Sequence, residues 1–191
     1  MNLYQSLLVL TCILAILVSG CLQASESSGN QPGAAVDSNH SLKVSVNSAI
    51  NGSTLPTRYT CMGPGQVPSI FWKDAPSAAR SMVLIMDDPD ASDRVYTHWI
   101  VYNLSPESEA IPPNQMPVSE RAGSGYQGIN SMGTRGYTPA CPPSGTPHRY
   151  IFTLYALDTN ISPDPPDRSH IDAAMEGHVL AQARIVTFLG Q

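Results

Sequence analysis

Apolar and polar positions along the chain fall into runs with different periods. Leu42-Lys43-Val44-Ser45-Val46 alternates apolar with polar, the pattern of a half-buried strand. Ser81 to Met86 (SMVLIM) is a continuous apolar run closed by Asp87-Asp88-Pro89, which predicts a buried central strand. His98–Leu104 and Arg149–Leu157 are rich in β-branched and aromatic residues and read as further strands. From Ser169 to Ala183 the period changes. Ile171, Ala174, Met175, Val179 and Leu180 recur at helical spacing, with Asp172 in the first turn and Arg184 near the end. Clusters of Gly, Pro and Ser at Gly63–Pro68, Ser105–Pro117 and Pro139–Pro147 supply the turns between them. The elements predict a mainly β fold: a sandwich of two antiparallel sheets with a helix near the C-terminus and short helical additions.

One run fits neither period. Leu7 to Val18 (LLVLTCILAILV) is apolar apart from Thr11. At about 1.5 Å per helical residue it reaches about 18 Å, short of a bilayer core of about 30 Å but the length of a signal-peptide apolar region. It ends in Val18-Ser19-Gly20-Cys21, small residues and then cysteine, which resembles a prokaryotic lipoprotein signal, although residues 1–6 carry no Lys or Arg. An uncleaved anchor and a secretory signal cut elsewhere are the alternatives. The expectation is a signal peptide over residues 1–20 and lipidation at Cys21. Residues 21–41, poor in apolar side chains, then form a flexible tether to a domain over 42–191. The protein is thus expected to be exported and anchored to the cell membrane on its extracytoplasmic side, two acyl chains being needed for stable anchoring.

Composition narrows the function. The 191 residues include 10 basic and 15 acidic side chains, a net charge of −5, which argues against a nucleic-acid partner. The 17 prolines and 14 glycines disfavour a helical bundle. The cysteines, Cys12, Cys21, Cys61 and Cys141, are too few for a disulfide scaffold and show no C-x2-C zinc spacing.

Three polar clusters lie at or beside strand ends. In Asp87-Asp88-Pro89-Asp90-Ala91 the proline stops the strand and leaves carboxylates at its margin. In Thr97-His98-Trp99-Ile100-Val101-Tyr102-Asn103, period 2 places His98 on the face of Ile100 and Tyr102, opposite Trp99 and Val101. In Cys141-Pro142-Pro143-Ser144-Gly145-Thr146-Pro147-His148-Arg149-Tyr150 a tight loop delivers His148 and Tyr150 to one face of a strand. Taken singly, each cluster has an ordinary structural reading: an acidic turn, a core histidine, a loop followed by a core tyrosine.

Together the clusters resemble the phosphatidylethanolamine-binding protein family, in its prokaryotic, Raf-kinase-inhibitor-like branch. The resemblance runs from about Val44 to the C-terminus through Tyr59-Thr60-Cys61-x-Gly63, Trp72, Asp88-Pro89-Asp90-Ala91 and His98-Trp99-x-x-x-Asn103. It continues through Gly128-x-Asn130, Gly136-Tyr137, Cys141-Pro142-Pro143-x-Gly145, His148-Arg149-Tyr150 and Leu154-Tyr155-Ala156-Leu157-Asp158. It implies a two-sheet sandwich with a small anion-accepting pocket formed by Asp88, Asp90, His98, Cys141, Pro142, His148 and Tyr150, with no metal and no cofactor. Where many relatives have Gly-Pro before Cys-Pro-Pro, this chain has Pro139-Ala140, which removes conformational freedom beside the pocket.

The chemistry of these residue types agrees. A carboxylate beside a histidine favours imidazolium, and imidazolium offers two donors to phosphate or carboxylate oxygens. The expected partner is an anionic or zwitterionic headgroup, bound without covalent chemistry. A protein-interaction module that inhibits an extracytoplasmic enzyme such as a protease is the alternative. Less favoured are a metal site built from the Asp and His residues and a hydrolase triad of Ser144 or Ser69 with His148 and Asp88, which lacks a G-x-S-x-G elbow. With Cys12 removed in the signal and Cys21 acylated, Cys61 and Cys141 are candidates for a disulfide, since the exterior compartment permits one. Of the N-x-S sites at Asn39, Asn51, Asn103 and Asn160, Asn103 lies on a predicted strand and should be the least accessible.

Overall fold

The computed structural model describes residues 41–113, 115 and 118–190. The expected signal, Cys21 and the tether lie outside the described residues, as does Asn39. The described elements are β1 (Lys43–Val46), β2 (Ile70–Lys73), β3 (Ser81–Asp88), β4 (Tyr96–Leu104), β5 (Ala110–Ile111), β6 (Arg121–Ala122), β7 (Gly125–Gln127), β8 (His148–Leu157), α1 (Arg168–Met175) and β9 (Val179–Leu189). Short 3-10 turns at Thr57–Tyr59 and Pro106–Ser108 complete them.

Two antiparallel sheets form a sandwich: a three-stranded sheet in the order β1-β2-β5 and a six-stranded sheet in the order β6-β7-β4-β3-β8-β9. The central strand of the larger sheet is the apolar run that continuous hydrophobicity predicts, with β4 and β8 paired to its two sides. Its even positions Met82, Leu84 and Met86 join Val46, Ile70, Trp72, Trp99 and Phe152 in the core between the sheets. Its odd positions Val83 and Ile85 face the other way, into a second cluster with Ile100, Ile171 and Met175. The sheet is therefore covered on both faces, which is why β3 reads as unbroken hydrophobic rather than alternating.

The C-terminal helix is shorter than the sequence predicts. Helix α1 spans Arg168–Met175 and is followed by Gly177 at φ +78°, a left-handed conformation that glycine takes without steric cost. Val179, Leu180 and Arg184 belong to β9 instead. Ile171, Ala174 and Met175 do form the buried stripe of the helix, and the helical spacing beyond them is coincidental. From Ala181 the sequence alternates, with Ile185, Thr187 and Leu189 buried.

Strand β4 carries two irregularities against β3. One falls around Asn103, at φ +54° in the left-handed region that Asn tolerates better than most residues. Its side chain receives the Ile161 backbone N–H (2.9 Å) and donates to the Ile161 carbonyl (2.8 Å), so it clamps the chain after β8. Asn103 is half-buried, whereas Asn51 and Asn160 are exposed. Replacing Asn103 by Ala should destabilise the fold by about 2–4 kcal/mol, from two lost hydrogen bonds and a positive φ at a residue with a Cβ. Chemical denaturation of both proteins checks it, and an unchanged midpoint would contradict the clamp.

Candidate functional site

The strand period decides where each polar side chain at the end of β3 points. Asp87 falls on the helix face, where it accepts Thr97 Oγ1–H (2.8 Å) and pairs with Arg168 of α1 (2.5 Å). Asp88 falls on the other face and is nearly buried, with its Oδ2 2.7 Å from Nδ1 of His148 at the start of β8. Its Oδ1 accepts the Asp90 backbone N–H at 2.9 Å, an Asx turn that shapes the loop after Pro89. Both carboxylate oxygens are thus satisfied from within the protein, as a buried charge requires.

His98 reaches the same place by a route that strict alternation misses. Trp99 pairs with Met86 and Thr97 with Asp87, so β4 holds one extra residue at His98. Bulges re-aim side chains, and here the His98 ring lies 5.3 Å from the Tyr150 ring, edge to face, instead of sharing the helix-side cluster with Ile100. The expected face for His98 is corrected accordingly. Its Nδ1 is 2.9 Å from the Thr138 carbonyl, which can only accept, so Nδ1 carries the proton. Burial lowers the His98 pKa, against an upward pull from the Thr138 carbonyl and Asp88. The ring is therefore neutral near pH 7, with Nε2 as an acceptor.

Asp88, Asp90, His98, Cys141, His148 and Tyr150 all line one cavity of about 380 Å³, together with Tyr96, Met132, Thr138 and Pro139. Pro142 departs from expectation: it is buried outside the wall, and its neighbour Pro143 lines the cavity instead. Ser69 and Ser144 are also absent from the wall. Among the described residues, no group of three or more His, Cys, Asp or Glu side chains is placed to hold a metal ion. Cys61 and Cys141 form a disulfide with Cα atoms 5.4 Å apart, tying the loop after Thr138 to the turn after Tyr59. The Cys61 N–H to Ala140 carbonyl bond (3.0 Å) reinforces the tie.

Tyr150 holds the least satisfied group. Its side chain is fully buried, and its hydroxyl, close to the Asp88 carboxylate and the Cys141 backbone, is the buried side-chain polar atom that makes no hydrogen bond of good geometry among the described residues. Desolvation, then the nearby Asp88 charge, push its pKa up, so the hydroxyl remains a donor at every physiological pH.

Asp90 plays a different part from the one its motif suggests. Its carboxylate receives two side-chain nitrogens of Arg149, Nε at 2.9 Å and Nη2 at 2.6 Å, and also the Arg149 backbone N–H at 2.8 Å. The fork closes the loop after β3 onto β8 at the mouth of the cavity. Sequence reasoning passed over Arg149; its position opposite His148 and Tyr150 on β8 marks it as outward-facing, which was the available signal.

Comparison with known proteins gives a consistent picture. A family model described as phosphatidylethanolamine-binding protein matches residues 45–189. A UPF0098 protein of Methanothermobacter thermautotrophicus is 43% identical over 133 residues, covering 69% of this chain and 87% of its own. A UPF0098 protein of Aquifex aeolicus is 41% identical over 139 residues, covering 71% and 81%. Among solved structures, a putative phosphatidylethanolamine-binding protein homologue from Chlamydia trachomatis superposes with a TM-score of 0.72 at 33% identity, over 80% of this chain and 99% of that one. E. coli YbcL, described as a new member of the mammalian family, gives 0.71 at 25% identity, over 78% and 98%.

The Arg149 contacts, foremost its side-chain hydrogen bonds, lower the Asp90 pKa to about 2. A depressed carboxyl contributes stability that is present above its unfolded pKa of about 4. That contribution disappears as pH falls toward 2. Acid unfolding of Arg149→Gln should therefore lose less stability between about pH 4 and pH 2 than the native protein does. Parallel acid titrations of the two proteins would contradict the fork.

Proposed function

The chain belongs to the phosphatidylethanolamine-binding protein family, and on that premise we propose that it is a non-catalytic binding protein whose cavity takes a small anion, such as the phosphate of a phospholipid headgroup. The observation that carries this reading is the Tyr150 hydroxyl, buried at the cavity wall with no hydrogen bond of good geometry among the described residues. An unmet buried donor costs about 1–3 kcal/mol, so a fold keeps one only where something else compensates. A ligand oxygen supplies that compensation. His148, held through Nδ1 by Asp88 at the same wall, leaves its other ring nitrogen for the ligand.

The triad weighed from the sequence is not assembled at this site. His148 is bonded to Asp88, but Ser69 and Ser144 lie off the wall, so the arrangement offers neither serine as a nucleophile for that pair. A protein-interaction role remains the second reading, and the exposed Met132 (64%) at the cavity rim is the observation in its favour. Export and membrane anchoring through Cys21 complete the proposal. They would expose the cavity to extracytoplasmic ligands.

Two measurements test it. Tyr150→Phe removes the orphan hydroxyl while keeping the ring: stability should rise by about 1 kcal/mol and affinity for short-chain phosphatidylethanolamine or inorganic phosphate should fall about tenfold. Calorimetry and denaturation on the same samples read both, and unchanged affinity would remove the hydroxyl from the site. For the anchor, mass spectrometry of protein extracted from membranes of its native host should find a mature chain starting at Cys21 with added acyl mass. An intact chain starting at Met1 would contradict it.

A further inference from the structure

We propose that a second cavity, beside the Thr57–Tyr59 turn, binds a monocarboxylate through the Arg58 guanidinium and the Ser69 hydroxyl. This cavity of about 270 Å³ is lined by residues of that turn, of the 64–67 segment after it, and by Ser69, which precedes β2. It shares no wall residue with the cavity at the ends of β3, β4 and β8, so the assignment stands apart from the function proposed there. Its size falls just under the range of about 300–1,000 Å³ typical of drug-sized ligands, which suits a group of few heavy atoms.

Among the described residues, Arg58 is the charged member of this wall. Its guanidinium is half-buried, has no acidic partner and makes no hydrogen bond; it lies over the Tyr59 ring, 4.7 Å from the centroid. Stacking engages the face of a guanidinium and leaves the in-plane N–H donors at its edge for a ligand. The stack is held in place. Tyr59 is buried, its hydroxyl donates to the Asn47 carbonyl (3.2 Å), and the Arg58 carbonyl receives the Gln66 N–H (2.8 Å). Ser69 supplies a second, independent observation. It is only 3% exposed, yet its hydroxyl makes no hydrogen bond to another described group and is not sealed from the cavity that the residue lines. Its carbonyl receives the Asn47 N–H (2.9 Å), which fixes the residue. A nearly buried hydroxyl with no partner in the fold is costly unless something from outside meets it. Two properties select a carboxylate. The guanidinium fork matches two oxygens in one plane, and its single charge balances a monoanion, where a phosphomonoester dianion would leave one charge uncompensated. The carboxylate has two sources, a free small acid and the C-terminal end of a peptide.

Nitrogen–proton correlation spectra of the full chain in mild detergent, recorded with N-acetylglycine and with its uncharged amide N-acetylglycinamide, test the assignment. The Arg58 Nε–H signal and the Gln66 amide signals should move saturably with the acid, at a Kd of about 1 mM, and stay still with the amide up to about 20 mM. Acetyltetraglycine carries the same terminal carboxylate on a peptide. Binding about tenfold tighter than N-acetylglycine identifies a peptide end as the source, equal binding identifies a free acid, and either result supports the site. At about pH 8 methyl phosphate is mainly a dianion and should bind here more weakly than N-acetylglycine. Binding as tight or tighter overturns the choice of a carboxylate.

Ser69→Ala should leave the denaturation midpoint unchanged or raised, since the hydroxyl has no partner to lose, and should weaken N-acetylglycine about tenfold as read from the Gln66 signals. Arg58→Gln should abolish the saturable movement. Native affinity in either folded variant overturns the role given to that residue and with it the proposal. If Arg58→Gln does not fold, Ser69→Ala and the acid–amide pair still decide. No movement of the Arg58 and Gln66 signals with either acid, or equal movement with N-acetylglycinamide, overturns the second site. The response of His98 and His148 to phosphate tests the first cavity separately, so the failure of one reading is distinguishable from failure of the other.

Discussion

A carboxylate withdrawn from water must be neutralised or hydrogen-bonded on every open side, and the cavity is organised around how Asp88 meets that requirement. Its position is fixed by β3, the central strand of the larger sheet, whose alternation sends Asp87 to the helix face and Asp88 to the sandwich face. His148 must then begin β8 where its Nδ1 can reach the carboxylate, which the antiparallel pairing of β8 with β3 provides. Tyr150 follows two residues later on the same face. A buried pair of this kind contributes little net stability, since desolvation offsets attraction, yet removing one partner is costly. Its value lies in orienting the imidazole.

The walls are held by contacts on separate elements. The disulfide and the Cys61–Ala140 backbone bond fix the loop on one side, while the Asp90–Arg149 fork fixes the loop on the other. Between them, the two sheets bury Trp72, Trp99 and Phe152 in a continuous core that gives the strand ends a rigid base. Side chains locked in this way leave less freedom to lose on binding, so a small ligand can be held by few contacts. On the helix face, Arg168 pairs with Asp87.

Much of this was legible in the sequence because period 2 reports directly on which face a strand residue occupies. The central strand, the common face of His148 and Tyr150, and the convergence of the Asp, His and Tyr clusters follow from that rule and from the family resemblance. What escaped depends on non-periodic features. The bulge that turns His98 toward Tyr150 adds one residue to β4, and no local composition signals it. The end of α1 at Gly177 was masked by Val179 and Leu180, which fit a helical stripe while opening a strand. The Asp90–Arg149 fork joins residues 59 positions apart, a pairing set by the docking of a loop onto β8 rather than by spacing.

The central claim is that the free ring nitrogens of His98 and His148 face one bound anion. Long-range proton–nitrogen correlation of the imidazoles, recorded while inorganic phosphate is titrated into the full chain, tests it most directly. The account predicts saturable movement of both Nε2 signals with a single binding constant, while the Nδ1 signals held by Thr138 and Asp88 stay nearly fixed. Phosphate that binds without moving either Nε2 signal would contradict it.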